Sequence, residues 1–201
     1  MENKYYEAMK KRRSIYALSK ESTISDEQIR KIVEYSLDYT PSAFNSQSSR
    51  VVILLGEEHD KLWNITEKSL RQIVPEDQFG PTKDKLDSFG NAYGTLLFFE
   101  DYEIIEDLQS SFETYKDNFP IWSHQSSGML QYNIWTSLAV EGLGASLQHY
   151  NELIEQEVKK EWSIPSKWKI IGQMPFGKPI EGAGDKEILG ADKKLKVFGS
   201  K

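Results

Sequence analysis

The chain has no cysteine among its 201 residues. That absence removes disulfides, thiolate nucleophiles, zinc ribbons and iron–sulfur ligation together. It fits a reducing compartment, and a cytoplasmic location is expected. Histidine is almost as scarce. His59, His124 and His149 stand far apart, with no His-x-x-x-His pair and no carboxylate at ligand spacing, so no metal site is expected. Long apolar runs are missing too. The longest aliphatic stretch is Val51–Leu55, far short of the roughly 20 residues a membrane span needs. Met1 to Tyr5 shows no apolar h-region, so neither export nor a membrane partner is expected, and the Asn64-Ile65-Thr66 sequon reads as chance. Nor is there an excess of positive charge. Twenty-five Lys and Arg against 31 Asp and Glu give a net charge of −6, which repels nucleic-acid phosphate, so no nucleic-acid partner is expected.

Aromatic residues are abundant: 9 Phe, 5 Trp and 10 Tyr in a chain that is 38% hydrophobic. Such a chain folds, and it has flat apolar faces for its core or for a planar ligand. The length predicts one domain over residues 1–201. Residues 178–201 read as a C-terminal arm, with a short strand at Leu195–Gly199 that seeks a sheet edge elsewhere.

The spacing predicts a short helix over Tyr5–Arg13. Ser25-x-x-Gln28 is a capping box, flanked by Ile24 and Ile29 as a hydrophobic staple, and it opens a helix that Pro41 ends. Arg50–Gly56 reads as a strand buried on both faces. Glu57–Val74 reads as an amphipathic helix, Glu76–Asn91 as a polar loop with one helical turn, and Thr95–Glu100 as a second buried strand. Further helices are expected at Ile104–Lys116, Ser123–Gly142 and Asn151–Trp162, with strands at Ala145–His149 and Trp168–Met174.

Familiar chemistries are excluded one by one. Gly172-x-x-x-x-Gly177-Lys178 imitates a phosphate-binding loop, but Pro179 replaces the hydroxyl residue and no helix follows. Gly142-x-Gly144 ends a helix instead of following a strand, so it is no dinucleotide fingerprint. There is no Gly-x-Ser-x-Gly elbow, and the adjacent carboxylates Glu57-Glu58 and Glu106-Asp107 face different ways on helix surfaces. A chain without nucleophile, metal or acid–base pair points to a cofactor that carries the chemistry. A flavin asks for cations at its phosphate, hydrogen bonds along its ribityl chain and flat apolar faces. Arg12, Arg13 and Ser14 suit the phosphate, since arginine grips it as a fork. Ser42, Asn45 and Gln47, in the stretch Pro41–Arg50, suit ribityl and ring-edge contacts. Taken alone, Lys10–Arg13 is equally a solvated face, and Pro41–Arg50 equally an ordinary turn.

Four motifs in order resemble those of the FMN-dependent nitroreductases. Arg12-Arg13-Ser14 matches their Arg-x-Ser phosphate motif, and Pro41-Ser42-Ala43-Phe44-Asn45-Ser46-Gln47 matches their Pro-Ser-x-x-Asn-x-Gln motif. Arg12 to Leu18, Ala139-x-Glu141 to Tyr150 and Gln173-Met174-Pro175-Phe176-Gly177 are similar to the short branch with the fungal fatty-acid-repression and bacterial copper-induced proteins. The resemblance implies an α+β nitroreductase-like sandwich, a mostly antiparallel central sheet flanked by helices, with a C-terminal strand exchanged in a homodimer. It implies FMN as cofactor, NADH or NADPH as co-substrate, and hydride transfer through flavin N5 in ping-pong order to nitroaromatic or quinone-type acceptors, small and planar. Arg12 and Ser14 would hold the phosphate, with Arg13 beside them and Lys186 as a second cation. Ser42, Phe44, Asn45 and Gln47 would reach the other subunit's flavin, and Leu147, Gln148 and His149 would line the ring. No protein side chain is expected to be catalytic in itself. Larger members carry Lys or Arg two residues after the motif serine. Tyr16 stands there instead, leaving Arg13 or backbone donors for the reduced flavin's N1/O2 edge. A flavin-binding regulatory protein without turnover, or a colourless interaction module, are the readings left open.

Overall fold

The computed structural model describes residues 3–199. Its elements are α1 (Lys4–Lys11), β1 (Leu18–Ser19), α2 (Asp26–Tyr39), β2 (Ser49–Leu55), α3 (Glu57–Leu70), α4 (Gly80–Gly90), β3 (Gly94–Asp101), α5 (Tyr102–Ser111), α6 (Phe119–Val140), β4 (Gly144–Ala145), α7 (Asn151–Glu161) and β5 (Trp168–Pro179). The sheet runs β1-β5-β3-β2, with β4 also on β5, and every pair of strands is antiparallel.

Strand β3 is buried at every residue because it is central and covered on both faces. Alternate side chains therefore feed two separate cores. Leu97 and Phe99 join Leu62, Trp63, Phe89, Ile154 and Val158 beneath α3, α4 and α7. Leu96 and Phe98 join Ile29, Val33, Leu130, Ile134 and Leu138 beneath α2 and α6. The result is the expected α+β sandwich of one mostly antiparallel sheet between two helical layers.

Local chemistry sets the helix ends as the sequence demands. Ser25 Oγ accepts from the Gln28 N–H while Gln28 Oε1 accepts from the Ser25 N–H, completing the capping box of α2. Thr40 ends that helix in an extended conformation, as the following Pro41 requires. Gly142, with φ +86°, supplies the left-handed turn after α6. The imitation phosphate-binding loop lies wholly within or beside β5, as extended backbone.

Several expectations are corrected. Glu76–Asn91 is no loop: a single 3₁₀ turn at Glu76–Gln78 precedes α4, and Phe79, Leu86 and Phe89 anchor it in the core beneath α3. Three apolar residues at helical spacing hold it, too sparse a stripe to stand out among so many polar neighbours. Strand β2 is mostly half-buried instead of buried on both faces, because it is an edge strand. Leu195–Gly199 pairs with no strand of its own chain's sheet, and the edge it is expected to seek belongs to another molecule. Leu195, Val197 and Phe198 are exposed, Phe198 by 88%. Ala145–His149 is strand only at Gly144–Ala145, followed by an isolated bridge from Gln148 to Gln173. Strand β5 continues five residues past Met174 to Pro179. Helix α1 stops at Lys11, so Arg12 and Arg13 lie beyond it. The last two residues of the expected arm lie outside the described residues. Among the described residues, no helix is long and apolar enough to cross a membrane, and no cluster of His, Asp and Glu could hold a metal ion.

Candidate functional site

The segment after α1 runs against β4. Ser14 forms a parallel bridge with Ala145, and the Ile15 N–H donates to the Ala145 carbonyl at 2.9 Å. This close approach needs glycine next door: a Cβ at Gly144 would come within 2.9 Å of Ile15 Cβ and Leu18 Cδ2. Beyond Ala145 the backbone follows β5. Gln148 and Gln173 exchange both backbone hydrogen bonds, at 2.7 and 2.9 Å. In such a pair the flanking residues turn their N–H groups away from the partner strand, so Leu147 and His149 direct theirs off the sheet. Gln148 is buried and donates Nε2 to Ser146 Oγ, Leu147 is half-buried, and His149 is exposed. The side chain of Gln173 fixes this run from below, accepting from the Tyr150 N–H and donating to Asn151 Oδ1.

The two arginines beside Ser14 are used differently. Arg13 Nη2 donates to the Gly184 carbonyl at 2.9 Å, which ties the C-terminal arm to this edge. Lys186, exposed, follows two residues later. Arg12 caps α1 with extended backbone. Its guanidinium lies 4.5 Å from the Trp135 ring centroid and 5.9 Å from that of Tyr132. Its Nε is buried without a hydrogen-bond partner. A buried cationic donor without an acceptor is costly and rare, and it fits an anion such as a phosphate. The structure thus brings Arg12, Arg13, Ser14, Leu147, Gln148, His149 and the base of the arm to one region.

The corner Pro41–Arg50 is elsewhere. It is a 3₁₀ turn in which Phe44, Asn45 and Gln47 all have positive φ, at 56°, 52° and 47°. For Phe44 that is a genuine outlier, the kind of backbone strain that gathers at functional positions. Three devices hold it. Ser42 Oγ accepts from the Gln47 N–H at 3.0 Å, leaving its own hydroxyl hydrogen available. Arg50 Nη1 donates to the Gln47 carbonyl at 2.7 Å while Nη2 pairs with Asp101 at 3.0 Å. Ser48 and Ser49 donate to the two oxygens of Glu100 at 2.6 and 2.5 Å. The Phe44 ring, half exposed, packs among Phe112, Tyr115, Phe119 and Trp122. The side chains of Asn45 and Gln47 are exposed.

Helix α6 measures the distance between these halves. Arg12 meets it at Trp135, and Phe44 meets it at Trp122, thirteen residues earlier. At 1.5 Å per residue that is about 20 Å along the axis. In one chain the Phe44 ring is thus well separated from the Arg12 guanidinium along α6, while the head of the corner lies nearer, with Thr40 Oγ1 accepting from Asn133 Nδ2 at 2.8 Å.

Two features escaped the sequence reading. Glu100 is fully buried. Burial pushes its carboxyl above the ordinary range, with the Ser48 and Ser49 hydroxyls and nearby Arg50 pulling back. The signal available was an acid at the end of an otherwise apolar strand. The aromatic support under Arg12 had no signal, because Tyr132 and Trp135 lie about 120 positions away and belong to an ordinary helical pattern. His59 is likewise buried, its pKa lowered by burial. It joins Thr95 and Gly90, with Trp63 donating to the same Thr95 hydroxyl, and it braces the opposite core.

The chain is similar to known proteins over most of its length. The family model described as "Nitroreductase family" matches residues 9–178. HBN1 of Saccharomyces cerevisiae, described as a nitroreductase, is 34% identical over 190 residues, 94% of each chain. The nitroreductase CinD from Lactococcus lactis, solved in complex with chloramphenicol, is 40% identical with a TM-score of 0.89, covering 96% of this chain and 99% of that one. A Desulfovibrio desulfuricans protein solved in complex with FMN shares the fold at 21% identity and a TM-score of 0.71, covering 98% and 99%. With most of its length matched by the family model and its sheet, helical layers and motif segments in place, the chain belongs to the nitroreductase family.

Proposed function

We propose that the protein is an FMN-dependent NAD(P)H oxidoreductase acting on nitroaromatic or quinone-type acceptors, as a homodimer whose two sites are each shared between subunits. The observation that carries this reading is the half-buried Arg12, with its Nε buried and unpaired, next to Ser14, whose segment bridges Ala145 at the start of the Leu147–His149 edge. Bound FMN would supply the hydride chemistry, accepting from NADH or NADPH and passing electrons to the acceptor in ping-pong order.

The chain's own residues bind and orient. Arg12 and Ser14 hold the phosphate, with Lys186 adding charge from the arm. Arg13 fastens the arm through Nη2, and its other N–H donors, or backbone donors, serve the flavin's N1/O2 edge in place of the basic residue absent at Tyr16. Backbone N–H groups at Leu147 and His149 face the ring edge, while Gln148 secures them to β5. Ser42, Phe44, Asn45 and Gln47 act on the neighbouring subunit's cofactor, which is how a Phe44 ring about 20 Å along α6 from Arg12 serves the same kind of site.

The dimer has independent support. Helix α6 mixes polar and apolar residues around its whole circumference, and Ile121, Met129 and Val140 remain exposed in one chain, apolar surface that a second chain would cover. The outer edge of β2 is open, and Leu195–Phe198 is an exposed apolar segment with no edge of its own. A second chain's arm laid along β2 would satisfy both. The flat aromatic faces at Phe44 and Trp122 support this acceptor class, and the similar protein CinD has been solved with chloramphenicol and with 4-nitrophenol.

The test is anaerobic titration of purified protein reconstituted with FMN. The expected result is a yellow protein that bleaches with NADH or NADPH and recovers its colour on adding 4-nitrophenol or a quinone. A yellow protein that neither nicotinamide bleaches would be a flavin binder without turnover, and a colourless one would end the flavin reading.

A further inference from the structure

Arg12 and Arg13 are neighbours with the same charge and different surroundings. Arg13 donates Nη2 to the Gly184 carbonyl. Arg12 rests on rings: its Cζ lies 4.5 Å from the Trp135 centroid and 5.9 Å from that of Tyr132. These two residues stand three apart on α6 and so share one face. The Trp135 Nε1, like the Arg12 Nε, is buried without a partner. The indole is therefore placed for its face and not for its N–H.

The choice of a ring has a physical logic. A carboxylate would hold Arg12 equally well, but it would repel an incoming phosphate and compete for the same donors. A π face attracts the guanidinium without bringing a full negative charge, and stacking leaves the in-plane N–H groups free. It also restrains a side chain that otherwise samples many rotamers, so that less freedom is lost when the anion arrives.

We propose that Trp135, seconded by Tyr132, is the positioning residue of the phosphate site: an aromatic shelf that holds the Arg12 guanidinium and presents its free donors to the cofactor's phosphate. This rests on the flavin-phosphate reading above. It assigns α6 a role in binding as well as in packing.

The experiment compares FMN with riboflavin, which lacks the phosphate, by flavin fluorescence titration of the stripped protein. Trp135→Leu is expected to weaken FMN by about 3- to 30-fold, the range of a partly to fully desolvated cation–π contact, and to leave riboflavin unchanged. Trp135→Phe, which keeps an aromatic face, is expected to retain most of the preference for FMN. In an Arg12→Ala background, Trp135→Leu should add nothing. Equal weakening of both ligands would mean that Trp135 only packs, and unchanged FMN binding would mean that the shelf does nothing; either overturns the proposal. Arg12→Ala separates the two levels. If it leaves the FMN-over-riboflavin preference intact, the phosphate reading itself is wrong. If it abolishes the preference while Trp135→Leu does not, only the shelf is wrong. Should Trp135→Leu lack a cooperative thermal transition, Tyr132→Leu and Trp135→Phe decide. A preference reduced in Tyr132→Leu and kept in Trp135→Phe supports the shelf; any other pattern overturns it.

Discussion

The Ser14–Ala145 edge and the Pro41–Arg50 corner both offer polar groups at the margin of the sheet, yet they are built in opposite ways. The edge is extended backbone bridged to neighbouring strands and backed by a buried glutamine pair. The corner has three non-glycine residues at positive φ, an exposed tip, and side-chain clamps in place of ladder bonds. The edge is complete within its own chain. The corner is pinned into a costly conformation whose exposed side chains, Asn45 and Gln47, have little to do there. Strain held this firmly is of the kind that gathers at functional positions, and the proposed dimer would give those side chains a cofactor to reach.

The sharpest break of that contrast is complementation. Arg12→Ala disables the edge half, and the combined Ser42→Ala, Asn45→Ala and Gln47→Ala disables the corner half. If each site draws one half from each subunit, a hybrid of the two variants has one site with both lesions and one with neither. Doubly tagged hybrid dimers are expected to hold about one FMN each, where either variant alone holds almost none. Hybrids that stay empty would place both halves in the same chain.

Next in size is Gly144→Ala. Its Cβ would press on Ile15 and Leu18, and such overpacking costs about 1–3 kcal/mol. Urea unfolding should show that loss, with FMN affinity falling alongside as the Ser14 segment is pushed off Ala145. The equivalent small change in the corner, Ser46→Ala, should cost no more than about 0.5 kcal/mol. Similar losses at the two positions would remove the distinction between a built edge and a clamped corner.

A smaller effect of opposite sign is expected at Gln47→Gly. Relief of the left-handed backbone should outweigh the added freedom of the unfolded chain and raise stability by about 0.5 kcal/mol, while FMN binding weakens. Gain in stability with unchanged binding would show that the strain serves nothing.

The smallest difference concerns Glu100, which anchors the corner's exit. Its folded pKa is raised, chiefly by burial. The folded state therefore keeps a proton that the unfolded chain releases, and the carboxyl's contribution is full below the ordinary carboxylate range and lost as pH rises through the folded value. Glu100→Gln can still bond both serines and does not titrate. Its stability relative to the parent should rise with pH across that window and then level off. A pH-independent difference would show that Glu100 is ionised in the fold as it is in the open chain.

Much of the architecture was legible because it rests on local rules. The Ser25–Gln28 box, the stop at Pro41 and the apolar runs of β3 and β5 each act over a few residues. Helix α4 was not legible, since only Phe79, Leu86 and Phe89 mark it and their partners lie in α3. The half-buried state of β2 was hidden for a related reason: an apolar β-branched run reads the same in the middle of a sheet and at its edge. Of the candidate site, the motif segments could be found but not their distribution. Nothing in Arg12-Arg13-Ser14 says that one arginine ties down the arm and the other lies on an indole.

The sequence by itself determined the family, the alternation of elements and the chemistry available, because composition, capping and short motifs are properties of neighbouring residues. The tertiary structure alone decided which groups meet. It set Trp135 under Arg12, closed Ser48 and Ser49 onto Glu100, and held the Phe44 ring about 20 Å along α6 from the arginine. Those are contacts between residues far apart in the chain, fixed by how helices and sheet pack, and no local pattern encodes them.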